Sequence, residues 1–147
     1  MNPTPIQVAL AILQKDGQFL LQLRDDFPHI ACPGQWGLFG GHLEPGESPI
    51  EGLKRELQEE IHYQVVAPEL FRCYTGDQII RHVYSASLTV PIEQLILTEG
   101  QDFALIAPDA IRSGNYYSPK IDQVRPLGQF HQQILLEFMA AELQITH

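Results

Sequence analysis

At 147 residues, with 44% apolar and 18% charged side chains, the chain can bury about two-thirds of the surface its unfolded form exposes, and a single domain spanning residues 1–147 is expected. A formal net charge of −9 argues against a nucleic-acid partner, because a phosphate backbone is bound by clustered Lys and Arg. No apolar run approaches the roughly 18 residues of a membrane span, so no membrane partner is expected either.

In chain order, the N-terminal stretch lacks the basic leader of a secretory signal, and Ile6 to Leu13 reads as a first strand. Asp16-Gly17 turns the chain into a second strand, Gln18 to Arg24. Asp25 to Gln35 is a polar, proline-containing loop, and Trp36 to Phe39 a short strand. Ser48-Pro49-Ile50-Glu51 is a capping box with proline at the first helical position, which predicts a helix from Ser48 to about Ile61. Gln64 to Val66 and Leu70 to Tyr74 are strand-like, and Gly76-Asp77 precedes an alternating strand from Ile79 to Val90. Phe103 to Ile106 reads as a strand and Pro108 to Ile111 as a helical turn. Ser113 to Pro126 reads as irregular loop, and Leu127 to Leu143 as an amphipathic helix through Phe130, Ile134 and Phe138. Helices interleaved with strands predict an α/β sandwich. Cys32 and Cys73 lie far apart and match no metal pattern. They read as reduced thiols, which points to the cytoplasm.

The segment Gly41 to Tyr63 carries the chemistry. Glu56, Glu59 and Glu60 fall within an arc of about 100° on the predicted helix. Leu53, Leu57 and Ile61, with Ile50, form the adjacent apolar stripe. Like charges three and four residues apart cost roughly 0.2–0.5 kcal/mol per pair, and anions in a last helical turn oppose the macrodipole. A hard cation would relieve both. Gly52 lies in the same arc and leaves room beside the helix backbone. A phosphate-loop reading of Gly41 to Ser48 fails, because Glu47 stands where a lysine should reach the phosphates and Pro45 removes an N–H donor.

This segment resembles the signature of the Nudix hydrolases, a Gly, Glu, Arg-Glu, Glu-Glu pattern on a loop and helix. Gly41, Glu47, Arg55, Glu56, Leu57, Glu59 and Glu60 match it at the required spacing. A chance match in a chain of this length is on the order of one in 10⁵. His62 replaces the signature's closing Gly, and Tyr63 its last apolar residue. His is among the residues that best tolerate the left-handed conformation a helix-ending Gly adopts. The resemblance implies a Nudix-like α/β/α sandwich with a mixed sheet between helices. It also implies hydrolysis of the diphosphate in a nucleoside diphosphate linked to another group X. Such a substrate is a small nucleotide derivative; a homodimer is compatible with the family.

By the same resemblance, Mg²⁺ or Mn²⁺ would be held by Glu56, Glu59 and Glu60, with the main-chain carbonyl of Gly40 adding a ligand. Arg55 would orient the glutamates through Glu47, and Gly41 would shape the loop. Glu56 and Glu99 are the candidate catalytic carboxylates. Glu99 precedes Gly100 on a later loop, where a chain can swing a general base toward a rigid helix; Asp102 is the weaker alternative. Arg24, His29 and Trp36 are candidate substrate contacts, the first for phosphate and the others for stacking. Arg81 alternates with His82 and Tyr84 on a strand, so the three cannot form one patch. The competing class is a Nudix-like domain that binds a nucleotide or protein without turnover; the intact set of Arg55 and three glutamates argues against it.

Overall fold

The computed structural model describes residues 4–30 and 33–145. The strands are β1 (Ile6–Lys15), β2 (Gln18–Leu23), β3 (Trp36–Gly37), β4 (Phe39–His42), β5 (Glu69–Thr75), β6 (Ile79–Ser87), β7 (Asp102–Ile106), β8 (Asn115–Ser118) and β9 (Gln123–Pro126). The α-helices are α1 (Pro49–Ile61), α2 (Pro108–Ser113) and α3 (Gln129–Ile145). They make two compact units, each drawn from separated stretches of chain.

The first unit comprises Met1–Lys15 and Phe39–Thr98. Its sheet is mixed: β1 runs parallel to β6 and antiparallel to β4, while β5 pairs antiparallel with β6. Val8 to Leu13 of β1 is buried without alternation, as expected of a strand covered on both faces. The capping box at Ser48 forms both of its bonds. Leu53, Leu57 and Ile61 of α1 are completely buried, worth about 1.5–3 kcal/mol each; Ile50 is only half-buried. The helix ends on His62, whose φ of 54° and ψ of 41° are left-handed, so histidine does take the place of the signature glycine. Its N–H donates to the Gln58 carbonyl. Tyr63 is buried because its hydroxyl is paired, donating to the Ser87 carbonyl at 3.3 Å and accepting the Thr89 N–H at 3.0 Å.

The second unit comprises Asp16–Leu38 and Glu99–His147. Within it β2 pairs antiparallel with β3 and β7. Phe19, Leu20, Leu21, Leu23 and Ile106 are fully buried, as are Ile134 and Leu135 of α3.

Four sequence-based expectations change. The strand expected over Trp36 to Phe39 breaks at Leu38, whose N–H donates to Nδ1 of His131 instead of a ladder partner. Gln64 to Val66 is not a strand: Ala67 takes φ 47° and Val66 is exposed. Ser113 to Pro126 is not irregular but holds the β8–β9 hairpin, in which Tyr116 faces Arg125 and Tyr117 faces Val124. Leu127 is buried ahead of α3, and the helical face is completed by Leu135 and Met139.

Candidate active site

The first unit gathers the signature residues around one guanidinium. Arg55 projects from α1 and uses all five of its N–H donors. Nε donates to Oε2 of Glu47 at 2.8 Å and Nη2 to Oε1 of the same carboxylate at 2.9 Å, a bidentate fork. Nη2 also donates to the His42 carbonyl at 3.1 Å. Nη1 donates to Glu56 at 3.0 Å and Glu59 at 3.2 Å. With Glu44 at 3.7 Å, one positive charge stands among four carboxylates. The Glu47 carboxylate is 12% exposed and that of Glu59 60%. The Glu47 fork therefore carries the pairing, while the solvent-exposed Glu59 contact contributes little to stability.

Three glycines stand where a Cβ would meet the elements that frame the site. Gly40 has φ 140°, and a Cβ there would overlap the Ala9 carbonyl oxygen of β1. Its N–H donates to Oε1 of Glu60 at 2.9 Å, which fixes that carboxylate against the strand. A Cβ on Gly41 would lie 2.7 Å from the Glu56 carboxylate. At Gly52 a Cβ would run into the Leu43 side chain and stand 3.0 Å from Glu47. The space left by Gly52 is filled by the loop's own residues.

Electrostatics follow the geometry. The Arg55 hydrogen bonds, aided by the Glu44 N–H, lower the Glu47 pKa from 4.5 to about 2. Glu47 in turn holds Arg55 above its ordinary value, against the opposing effect of burial. Glu56 is shifted the other way: burial raises it, only partly offset by the Arg55 hydrogen bond and charge.

A testable consequence concerns acid. Because the folded pKa of Glu47 is depressed, its stabilisation is fully present above 4.5 and is lost as pH falls toward about 2. The melting point of the wild type should exceed that of Glu47→Gln at pH 6, and the gap should close across that window. A gap that stays constant from pH 6 to 2 would dissociate the Arg55 fork from stability.

Thr98 was not singled out from sequence. Its hydroxyl donates to the Glu59 carbonyl at 2.9 Å and contacts that of Glu60 at 3.2 Å, and its N–H donates to the Glu60 carbonyl at 3.1 Å. It caps the last turn of α1, and a threonine 38 residues downstream carries no local signal of that role.

The remaining candidates lie in the second unit. Glu99 is exposed in the bend before β7. Gly100 there has φ 97° and donates its N–H to Asp25 at 3.2 Å. Asp102 is buried, with one oxygen accepting the Ser118 hydroxyl at 2.6 Å and the other the Phe103 N–H at 2.8 Å. Both oxygens are engaged, which disfavours it as a base. The main chain of Arg24 bonds Gln35 and Gln101. His29 stacks on exposed Phe27, with centroids 5.8 Å apart and planes 3° off parallel. Trp36 is completely buried, donates its indole N–H to the Tyr116 carbonyl at 3.1 Å and meets the Tyr116 ring edge-on. Its faces serve packing and offer no stacking platform.

The NUDIX domain model matches residues 3–126. The chain belongs to the Nudix family. Nucleoside triphosphatase NudI of Escherichia coli is 32% identical, over 69% of this chain and 82% of that protein. The solution structure of the E. coli ORF135 protein superposes with a TM-score of 0.68 at 26% identity, covering 95% of this chain and 91% of that one. The MutT Nudix hydrolase of Burkholderia pseudomallei gives a TM-score of 0.69 at 23% identity, covering 92% and 98%. The fold is thus the Nudix α/β/α sandwich, with a mixed sheet between helices, and the protein is a Nudix pyrophosphohydrolase. It hydrolyses the diphosphate of a nucleoside diphosphate linked to another group.

Nudix hydrolases work with a divalent metal ion. The donor set here suits a hard one: carboxylate oxygens only, on a surface where Arg55 leaves three of four negative charges uncompensated. Among the described residues no three His, Cys, Asp or Glu groups are already gathered into a metal cage. Arg55 and the Gly40 N–H hold the carboxylates in place. Among the described residues, no helix is long and apolar enough to cross a membrane.

Proposed function

We propose that this Nudix hydrolase takes a nucleoside triphosphate and water to a nucleoside monophosphate and pyrophosphate, with Mg²⁺ or Mn²⁺ held by Glu56, Glu59 and Glu60 and by the Gly40 carbonyl. The observation that carries this reading is the saturated Arg55, which holds Glu47, Glu56 and Glu59 together and still leaves the face acidic. A domain that only bound a ligand would have no need of a fully paired arginine amid so many carboxylates. The triphosphate is favoured because the NudI relative is a nucleoside triphosphatase. The net charge of −9 suits a small anion approached with a cation and disfavours a polynucleotide.

A divalent ion held there would supply charge neutralisation for the diphosphate and a lowered pKa for attacking water. Glu60, fixed by the Gly40 N–H, and Glu56, seated against Gly41, supply rigid oxygens. Glu59, exposed and weakly paired, can turn without breaking the Glu47 fork. Arg55 acts through these carboxylates and is a positioning residue. Glu99 is the proposed general base, carried on an exposed bend; Arg24 and His29 are proposed substrate contacts. We place the enzyme in the cytoplasm on the reading of its two cysteines as reduced thiols.

The test is release of a nucleoside monophosphate from a panel of nucleoside triphosphates, nucleotide sugars and dinucleotides, with and without Mg²⁺ or Mn²⁺, with pyrophosphate as the expected second product of the triphosphates alone. Metal-dependent turnover fastest on triphosphates is expected; preference for another class would move the substrate assignment. Either ion should raise the melting point of the free protein by preferential binding to the folded state. An equal rise in the variant with Glu56, Glu59 and Glu60 all changed to Gln would place the metal elsewhere. On the best substrate, Glu99→Gln should lower kcat by about a hundredfold with unchanged metal affinity; an unchanged rate would return the base role to the signature.

A further inference from the structure

Beyond the signature residues, the first unit carries a nucleophile, a base and an orienting amide in one row. Cys73 of β5 sits directly opposite His82 of β6, and His82 is in register with Ala9 of β1. Gln7, two residues before Ala9, shares that face and is a diagonal neighbour. A bulge at Phe71 creates the alignment: the register shifts between Leu70 and Arg72, and without it Arg72 would oppose His82. The side chains meet accordingly. His82 Nε2 lies 2.9 Å from Gln7 Oε1, and His82 Nδ1 lies 3.3 Å from Cys73 Sγ.

The hydrogen-bond roles follow from the amide. Gln7 Oε1 only accepts, so Nε2 of His82 carries the proton. Nδ1 then presents a lone pair, and the thiol donates to it. A nucleophile bonded to a base that a third group orients is the arrangement that activates weak nucleophiles. Cys73 is exposed, so a small reagent can reach it.

We infer that Cys73 is a reactive thiol that takes small disulfides, with His82 as its base and Gln7 as the positioning residue. In the exchange the Cys73 proton passes to His82 Nδ1, and the sulfur attacks one sulfur of the disulfide. A new S–S bond to Cys73 forms as the old S–S bond breaks. The departing thiolate takes the proton from His82, so a mixed disulfide and one free thiol result. Burial lowers the His82 pKa, which keeps the imidazole neutral and able to accept. Tyr84, on the same face, is held above its ordinary value chiefly by burial, so it stays a phenol and does not compete as base.

The test uses the full chain with oxidised glutathione, quenched with acid and read by peptide mass spectrometry at Cys73 and Cys32 separately. The quantity of interest is the ratio of the two rates. His82→Gln should lower that ratio by about tenfold or more, and Gln7→Leu by a smaller factor. Nitrogen-15 spectra should show His82 protonated on Nε2 in the wild type, with that preference lost in Gln7→Leu. A ratio unmoved by His82→Gln, equal slowing at both thiols included, would overturn the inference. So would a wild-type His82 protonated on Nδ1.

Discussion

Glu56→Gln and Glu60→Gln are each expected to lower kcat by about two to three orders of magnitude, as loss of an electrostatic group at a reacting centre typically does, while the fold persists. Both side chains lie off the buried stripe of Leu53, Leu57 and Ile61. Glutamine keeps an oxygen able to accept the Arg55 donor or the Gly40 N–H, so the local hydrogen bonds survive the change. What is lost is charge. For Glu56 that loss should help the metal-free protein. Burial raises its pKa, so its ionised form costs stability above the folded pKa, and that cost disappears as pH falls through it. At pH 7 without metal, the melting point of Glu56→Gln should therefore hold or rise. Wild-type turnover by both variants in saturating Mg²⁺ would remove these residues from the site. A sharp fall in melting point would mean that they serve the fold first.

How much of this was legible in the sequence depended on where each partner lay. The signature helix was readable because its determinants are local. Ser48 and Glu51 cap it, the apolar stripe repeats at helical spacing, and His62 ends it in the conformation that its glycine-like position demands. The link from Arg55 to Glu47 is carried by the motif's spacing. The His42 carbonyl, the Gly40 N–H and the Thr98 hydroxyl were not legible, because main-chain groups and a distant threonine leave no pattern. The β8–β9 hairpin escaped for a different reason. Asn115, Tyr117, Gln123 and Val124 are exposed, so its strands lack the apolar alternation that marks a buried face. Gln64 to Val66 misled in the opposite direction: Val65 is buried, but the left-handed Ala67 ends any extension into a ladder. Trp36 could be read either as core or as a stacking surface, and only the Tyr116 contact decides for the core.

The two neighbouring glycines should separate fold from chemistry. Gly40 pairs with Leu10 in the β1–β4 ladder at φ 140°. An added Cβ there would meet main chain: the Ala9 carbonyl, with its carbon 2.9 Å away, and the Leu10 Cα, also at 2.9 Å. Main chain in a buried strand cannot step aside, so Gly40→Ala should lower the melting point by roughly 5 °C or more. Gly41 differs in what faces it. Its added Cβ would meet the Glu56 carboxylate, the far end of a flexible side chain. The carboxylate can swing away at little cost to the fold, but it then leaves its place beside Arg55. Gly41→Ala should keep a melting point near that of the wild type and lose about a hundredfold in kcat, the scale expected when a reacting group is displaced by about an ångström. Equal destabilisation in both variants would make Gly41 a backbone requirement like Gly40. Full activity in Gly41→Ala would show that Glu56 works without being seated against the strand.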